Sequence, residues 1–268
     1  MLKLGEVKLP IEKDFEFIRN FCTSDEGWSL ENSKKNMKIY TKQDDKFPYK
    51  ALKCIGDFKC SAKCLYDVVQ DSEYCDYWDD RKEQSIDICQ VSENSDLIFY
   101  LLKFHKPFKK RDFVIQRCWK DYGEEKEKIL YNHSVNHSKY PPNSDTVRAV
   151  SFITATLIKP TSENTCTFYF VTHADPGGLP PWIVNLSTKL YGPKFVDKLH
   201  KACLKYDKWK SKNNPNFMPW IYPEQRKAPM IDWNDIMQLD ETDLKKNMID
   251  ESKIGESEVE SIDLNDEI

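Results

Sequence analysis

PPWIVNLSTKLYGPKFVDKLHKACLKYDKW, residues 180–209, is the last regular element of the chain and the longest, and it follows a run of strands instead of alternating with them. Two prolines open it, and proline fits a helix's first turn because the N–H groups there have no partner to lose. Lys194, Lys198, Lys201, Lys205, Lys208 and Lys212 follow steps of three or four and so share one helical face. Phe195, Leu199, Ala202, Cys203 and Tyr206 stand on another side. An interruption is expected at Gly192-Pro193, with Pro193 starting a new segment.

Upstream of this helix the period is that of strands. TCTFYFVTH (165–173), TVRAVSFITATLI (146–158), KILYNHSV (128–135), RDFVIQRCW (111–119), DLIFYLLKF (96–104) and EQSIDICQV (83–91) are rich in β-branched and aromatic residues and are bounded by turn formers. With no helical pattern between them, a doubly wound parallel sheet is disfavoured and an antiparallel one expected. Before them, MKIYTKQ (37–43) and YKALKCIGDFKC (49–60) form a hairpin around Asp44, Asp45 and Pro48. Ser61 caps a short helix through Leu65, Val68 and Val69, DSEYCDYWDD (71–80) adds a second helical turn, and Pro10 opens a first helix bearing Phe15, Phe17, Ile18, Phe21 and Cys22. The expected fold is α+β: an antiparallel sheet of about nine strands whose concave side the final helix covers.

The formal charge of −4 conceals an asymmetry. Residues 231–268 carry thirteen Asp or Glu against three Lys, which leaves residues 1–230 mildly basic. A domain over 1–226 and an acidic, largely disordered tail over 227–268 are expected, because that composition buries too little apolar surface to offset ordering. Met230, Ile231, Trp233, Ile236, Met237 and Leu239 offer one docked turn at its start. No stretch approaches the roughly 20 apolar residues of a membrane span, and the opening MLKLGEVKLPIEKDF lacks a signal-peptide run, so a cytoplasmic monomer with reduced cysteines is expected.

Chemistry is poorly supplied. No phosphate-cradling glycine loop, nucleophile elbow or Cys-x-x-Cys pair occurs, and no nucleic-acid module accompanies the lysines. His133 and His137 lie four apart but on extended chain, and Cys60 and Cys64 read as core filling, so neither metal nor cofactor is expected. Cys75, Asp79 and His105 are the only nucleophile or acid–base candidates, without a recognised arrangement, and no enzyme is expected. The lysine face reads either as a solvated surface or as one attracted to anionic lipid headgroups, and Trp182 either as core or as an interfacial indole.

In order along the chain, RDFVIQRCW (111–119), HSKYPPNSDTVRAVS (137–151), DPGGLPPWIVN (175–185) and KACLKYDKWK (201–210) resemble the START lipid-transfer domains, and more narrowly their phosphatidylcholine-transfer subgroup. The resemblance covers nearly the whole chain. It implies a helix-grip fold, in which a strongly curved sheet wraps an amphipathic C-terminal helix and leaves a tunnel for one lipid. It implies an intracellular carrier that binds one phospholipid, phosphatidylcholine or phosphatidylethanolamine, and exchanges it between membranes without chemistry.

By the same resemblance an aromatic cage for the lipid's ammonium falls on Tyr100, Phe113 and Phe152, ring faces that attract a cation; ordinary core packing is the other reading. The family's phosphate-binding arginine falls on Cys75, its acidic partner on Asp79, and two further headgroup positions on Val69 and Thr154. A thiol lacks the paired donors and the charge of a guanidinium, so either another cation, Arg81 or Arg111, or backbone donors are expected to serve. Trp182, Ile183, Lys194, Lys198, Lys201 and Lys205 are the expected membrane contacts. The alternative is a sensor of another lipid, whether fatty acid, sterol or sphingolipid, that signals through its tail, where Ser257 between acidic neighbours is a candidate for phosphorylation.

Overall fold

The computed structural model of the chain describes residues 3–34, 36–44, 47, 49–104, 106–238 and 250–255; His105, Leu239 and Ser257 lie outside them. The elements, in order, are α1 (Glu12–Thr23), β1 (Ser29–Lys34), β2 (Met37–Lys42), β3 (Ala51–Phe58), α2 (Ala62–Gln70) and α3 (Ser72–Trp78). Then come β4 (Lys82–Ser92), β5 (Ser95–Leu102), β6 (Arg111–Asp121), β7 (Lys128–Ser134), β8 (Asn136–His137), β9 (Val147–Arg148), β10 (Val150–Ser162), β11 (Thr165–Asp175), α4 (Pro181–Lys210) and β12 (Ile236–Met237). The main sheet runs β1-β2-β3-β11-β10-β7-β6-β5-β4, antiparallel at every step, and β9 adds a short parallel pairing to β6. This is the expected α+β architecture.

Alternation along the strands sorts the side chains between two faces. Cys118, Leu157 and Val171 pack on one face against Phe15, Ile18 and Cys22 of α1. On the other, Trp119, Ile158 and Phe168 meet Leu65 and Val68 of α2, Tyr74 of α3, and Val196 and Leu199 of α4. Burying each such large side chain stabilises the fold by roughly 1.5–3 kcal/mol. β1 escaped the pattern: all six of its residues are exposed, so it carries no alternation to read.

The helices are joined to each other by polar contacts. Ser61 caps α2 through the Cys64 N–H at 3.1 Å, and Asp71 caps α3 through the Tyr74 N–H at 3.1 Å. The other Asp71 oxygen accepts from Tyr206 at 2.9 Å and from the Lys210 ammonium at 2.8 Å, and the Tyr74 hydroxyl donates to the Ala202 carbonyl at 2.8 Å. The C-terminal half of α4 is thereby tied to α2 and α3.

Two expectations need correction. α4 is continuous through Gly192-Pro193. A Cβ added at Gly192 would stand 3.4 Å from both Cys54 Sγ and Ile39 Cδ1, so the helix lies close to the sheet here and packing offsets the roughly 3 kcal/mol cost of an internal proline. The tail, in turn, is docked wherever it is described. Gln90 exchanges backbone hydrogen bonds with Pro229 and Ile231, β12 pairs with β8, and Ile231 and Ile236 join an apolar cluster with Val91 and Leu97. The apolar residues at the tail's start supply the buried surface that its composition as a whole lacks.

Candidate functional site

Strand register places a row of directly opposed residues across the sheet: Asp96 on β5, Arg117 on β6, Asn132 on β7, Thr154 on β10 and Thr172 on β11. Two residues along each of the last four strands runs a parallel row, Trp119, Leu130, Thr156 and Phe170. Trp119, Leu130 and Phe170 belong to the cluster that meets α4, so by alternation both rows face the helix. A polar stripe therefore adjoins an apolar one on the helix-facing side of the sheet.

The stripe is internally bonded. Arg117 grips Asp96 with two donors, Nε at 2.9 Å and Nη2 at 2.7 Å, and Asp87 lies 3.7 Å from Nη2. Its Nη1 makes no hydrogen bond to any described residue. Burial opposes the charge of Arg117, but attraction to Asp96 outweighs it and holds the guanidinium above its ordinary pKa. The side chain keeps 27% of its surface accessible, and it lines a cavity of about 130 Å³ shared with Asp96, Trp119, Trp220 and Arg226. Farther along, the Ser151 hydroxyl meets Asn132 at 3.2 Å and Thr154 at 3.1 Å, and Thr154 meets Thr172 at 2.9 Å.

The expected cage is only partly assembled. Tyr100 and Phe113 are directly opposed on β5 and β6, on the same face as Arg117. Phe152 instead stacks on Phe47 with ring centres 4.0 Å apart and on His173 at 4.9 Å, and makes no ring contact with the other two. A register shift in β10 between Ser151 and Ile153 sets this residue apart from its neighbours, a feature that spacing alone does not reveal.

Cys75 lies near Tyr100, and burial pushes its thiol up to about 12 and the Tyr100 phenol well above its usual range. Cys75 is therefore neutral at physiological pH and brings no charge to the site. Asp79 has a partner in Arg81: Nε stands 3.3 Å from Oδ1, with the guanidinium over the Phe195 ring. Val69 packs at the edge of the helix-facing core.

Arg111 is committed elsewhere. It is fully buried, and its donors reach the carbonyls of Lys109, Pro176 (2.8 Å) and Gly177 (3.3 Å), while Nη2 pairs with Glu251 at 2.6 Å. Burial lowers its pKa and Glu251 raises it. The expected headgroup role is thus replaced by a structural one: Arg111 binds tail residue 251 to the loop that precedes α4. Around it, Glu251 Oε1 accepts from the Lys109 N–H at 2.9 Å, the Glu251 N–H donates to Gly178 at 3.2 Å, and Trp182 Nε1 donates to the Ile254 carbonyl at 3.3 Å.

The expected membrane contacts divide accordingly. Ile183 is buried with Phe108 and Leu179, and Trp182 and Ile254 pack against them, so this apolar patch is covered by the tail and not presented outward. Lys198 pairs with Asp80 at 2.6 Å, Lys194 is partly buried, and Lys201 and Lys205 are exposed. Among the described residues no helix is long and apolar enough to cross a membrane.

Sequence reading passed over Arg117 although it stands in the quoted RDFVIQRCW. The available signal was strand alternation, which puts Arg111, Phe113, Ile115, Arg117 and Trp119 on one face.

Comparison with known proteins agrees with this architecture. Residues 9–210 match the START domain family. The chain is 37% identical over 262 residues to START domain-containing protein 10 of Mus musculus, covering 95% of this chain and 87% of that protein. It is 25% identical over 185 residues to the phosphatidylcholine transfer protein of Homo sapiens, covering 67% of this chain and 85% of the relative. The crystal structure of human STARD10 superposes with a TM-score of 0.82 at 35% identity, covering 87% of this chain and 96% of the other.

Proposed function

The chain belongs to the START domain family, and from that premise we propose that it is a lipid-transfer protein: it binds one phospholipid between the sheet and α4 and exchanges it between membranes without altering it. The observation that carries the reading is the polar stripe beside an apolar one on the sheet face that α2, α3 and α4 cover, an amphipathic lining suited to an amphipathic guest. A phosphodiester placed in a low-dielectric interior needs a cation and hydrogen-bond donors. Arg117 offers both, with Nη1 unengaged by any described residue.

The charge balance favours a zwitterion. Asp96 pairs with Arg117 and Asp87 approaches it, so a phosphate on Arg117 has carboxylates beside it that an ammonium of the same headgroup would meet. A headgroup carrying one phosphate and one ammonium, as in phosphatidylcholine or phosphatidylethanolamine, matches the site by placing phosphate on Arg117 and amine toward Asp87, Tyr100 and Phe113. Mass spectrometry of lipid co-purifying with the protein tests this. Zwitterionic phospholipid is expected; recovery of fatty acid or sterol alone would sink the assignment.

One observation favours a second reading, a lipid sensor acting through its tail: residues 250–255 contact the loop before α4 and Trp182 within it. Displacement of α4 by lipid would then release the tail to a partner. Deleting residues 239–268 separates the two readings. A carrier keeps its vesicle-to-vesicle transfer, whereas a sensor keeps lipid binding and loses its partner.

A further inference from the structure

Three thiols meet where α2 begins and α4 passes over it. Cys60 precedes the cap residue Ser61, Cys64 stands in the first turn of α2, and Cys203 arrives from α4, 139 positions beyond Cys64. The three sulfur atoms all lie within 4.8 Å of one another. Cys203 is buried, while Cys60 and Cys64 are partly accessible.

As thiols these groups are poorly served. S–H is a weak donor and sulfur a weak acceptor, and the one firm contact of the set is Cys64 Sγ to the Cys203 carbonyl at 3.5 Å. As thiolates around a metal they would be well served. Metal–sulfur bonds of about 2.3 Å in tetrahedral geometry set sulfur atoms roughly 3.8 Å apart. The observed separations exceed that spacing by at most about an ångström.

We propose that Cys60, Cys64 and Cys203 form a three-thiolate site for a soft d10 cation, zinc or copper(I), which joins α2 to α4. Thiolate sulfur selects such ions over magnesium or calcium. Binding converts three thiols and one cation into a tris-thiolate complex with release of three protons, and no electron is transferred. For zinc, the partly accessible Cys64 leaves a side on which water completes the tetrahedron. This accounts for a feature that core filling leaves unexplained: three thiols from two separate elements converge on one point.

The test uses the full-length protein, stripped of metal and kept reduced. Cadmium, a spectroscopic stand-in for zinc, is titrated while the ultraviolet thiolate-to-metal absorption is followed. One equivalent is expected, with an intensity of three thiolates and with binding that tightens as pH rises, because protons are released. Zinc and copper(I), each buffered by a competing chelator, then compete; displacement by one and not the other assigns the physiological ion. Cys60→Ser and Cys64→Ser are each expected to weaken binding at least tenfold and to cut the absorption to two thiolates, whereas Cys89→Ser leaves both unchanged. Cys203→Ser removes a buried group and risks the fold, so the two accessible positions carry the test. Absence of a stoichiometric band, or the same band in the Cys60→Ser/Cys64→Ser double variant, overturns the proposal.

Discussion

Glu251→Gln keeps the shape of a side chain and removes its charge, at a point where the tail meets a buried cation. Arg111 has no exposed surface, and three backbone carbonyls remain to it after the change. Breaking a buried pair costs about 3–5 kcal/mol when the surviving charge stays dry. Here the loss is capped, because residues 250–255 are a short segment that can lift away and admit water. Lifting gives up three neutral hydrogen bonds, Lys109 to Glu251, Glu251 to Gly178 and Trp182 to Ile254, at roughly 1 kcal/mol each. The freed backbone recovers conformational entropy, which offsets part of that.

The expected destabilisation is about 2 kcal/mol, a fall in Tm of roughly 4–8 °C for a chain of this length. Thermal and urea denaturation at neutral pH measure it, and amide exchange over residues 250–255 should rise in parallel. The Arg111→Met/Glu251→Met double variant is expected to recover most of the loss, since a buried pair replaced by apolar groups is close to neutral. A single variant within about 0.5 kcal/mol of the parent, with exchange at 250–255 unchanged, would refute the tail's hold on Arg111.

Arg117→Met is expected to weaken phospholipid binding about tenfold to a hundredfold, as loss of a charged hydrogen bond worth roughly 1.5–3 kcal/mol requires; equal lipid recovery from variant and parent would remove Arg117 from the site. Lys201→Glu with Lys205→Glu should slow transfer from anionic vesicles at low salt and lose that effect near 1 M salt, where charges are screened beyond about 3 Å, while unchanged low-salt rates would dismiss a membrane role for this face. Burial lowers the pKa of His173, whose Nε2 has no hydrogen-bond partner among the described residues. A depressed histidine leaves stability intact above the unfolded value of about 6.5 and erodes it as pH falls through that value toward the folded one. His173→Phe should therefore flatten the decline in stability between pH 7.5 and 5.5, and an undiminished slope in the variant would exclude His173 as its source.

What the sequence disclosed followed from periodicity. The hairpin of β2 and β3, the long strands β4–β7, β10 and β11, and the closing helix were legible from composition and spacing, whereas the two-residue β8 is too short to carry a period. β1 was not, because a strand exposed along its whole length is under no pressure to alternate. The site was legible only where one strand's own pattern exposed it. Asp96, Arg117, Asn132, Thr154 and Thr172 form a row through register, which depends on the pairing of five strands and is written in none of them singly. Arg111 was misread for a related reason: its partner at position 251 lies in a segment whose composition gives no sign of docking. Cys203 reaches Cys60 and Cys64 through tertiary folding alone.

The pairing of β3 with β11 has a consequence for the birth of the molecule. Cys54 and Phe170 are opposed across that seam, yet more than a hundred residues separate them. The first hairpin and the run from β4 to β7 can each pair with sequence neighbours as the chain is made, but β3 keeps an open edge until β11 has been synthesised. Long-range pairing of this kind slows folding and leaves unpaired edges open to aggregation. α4 is made later still, so on the ribosome the sheet closes into one piece only as its apolar face waits for the helix that will cover it.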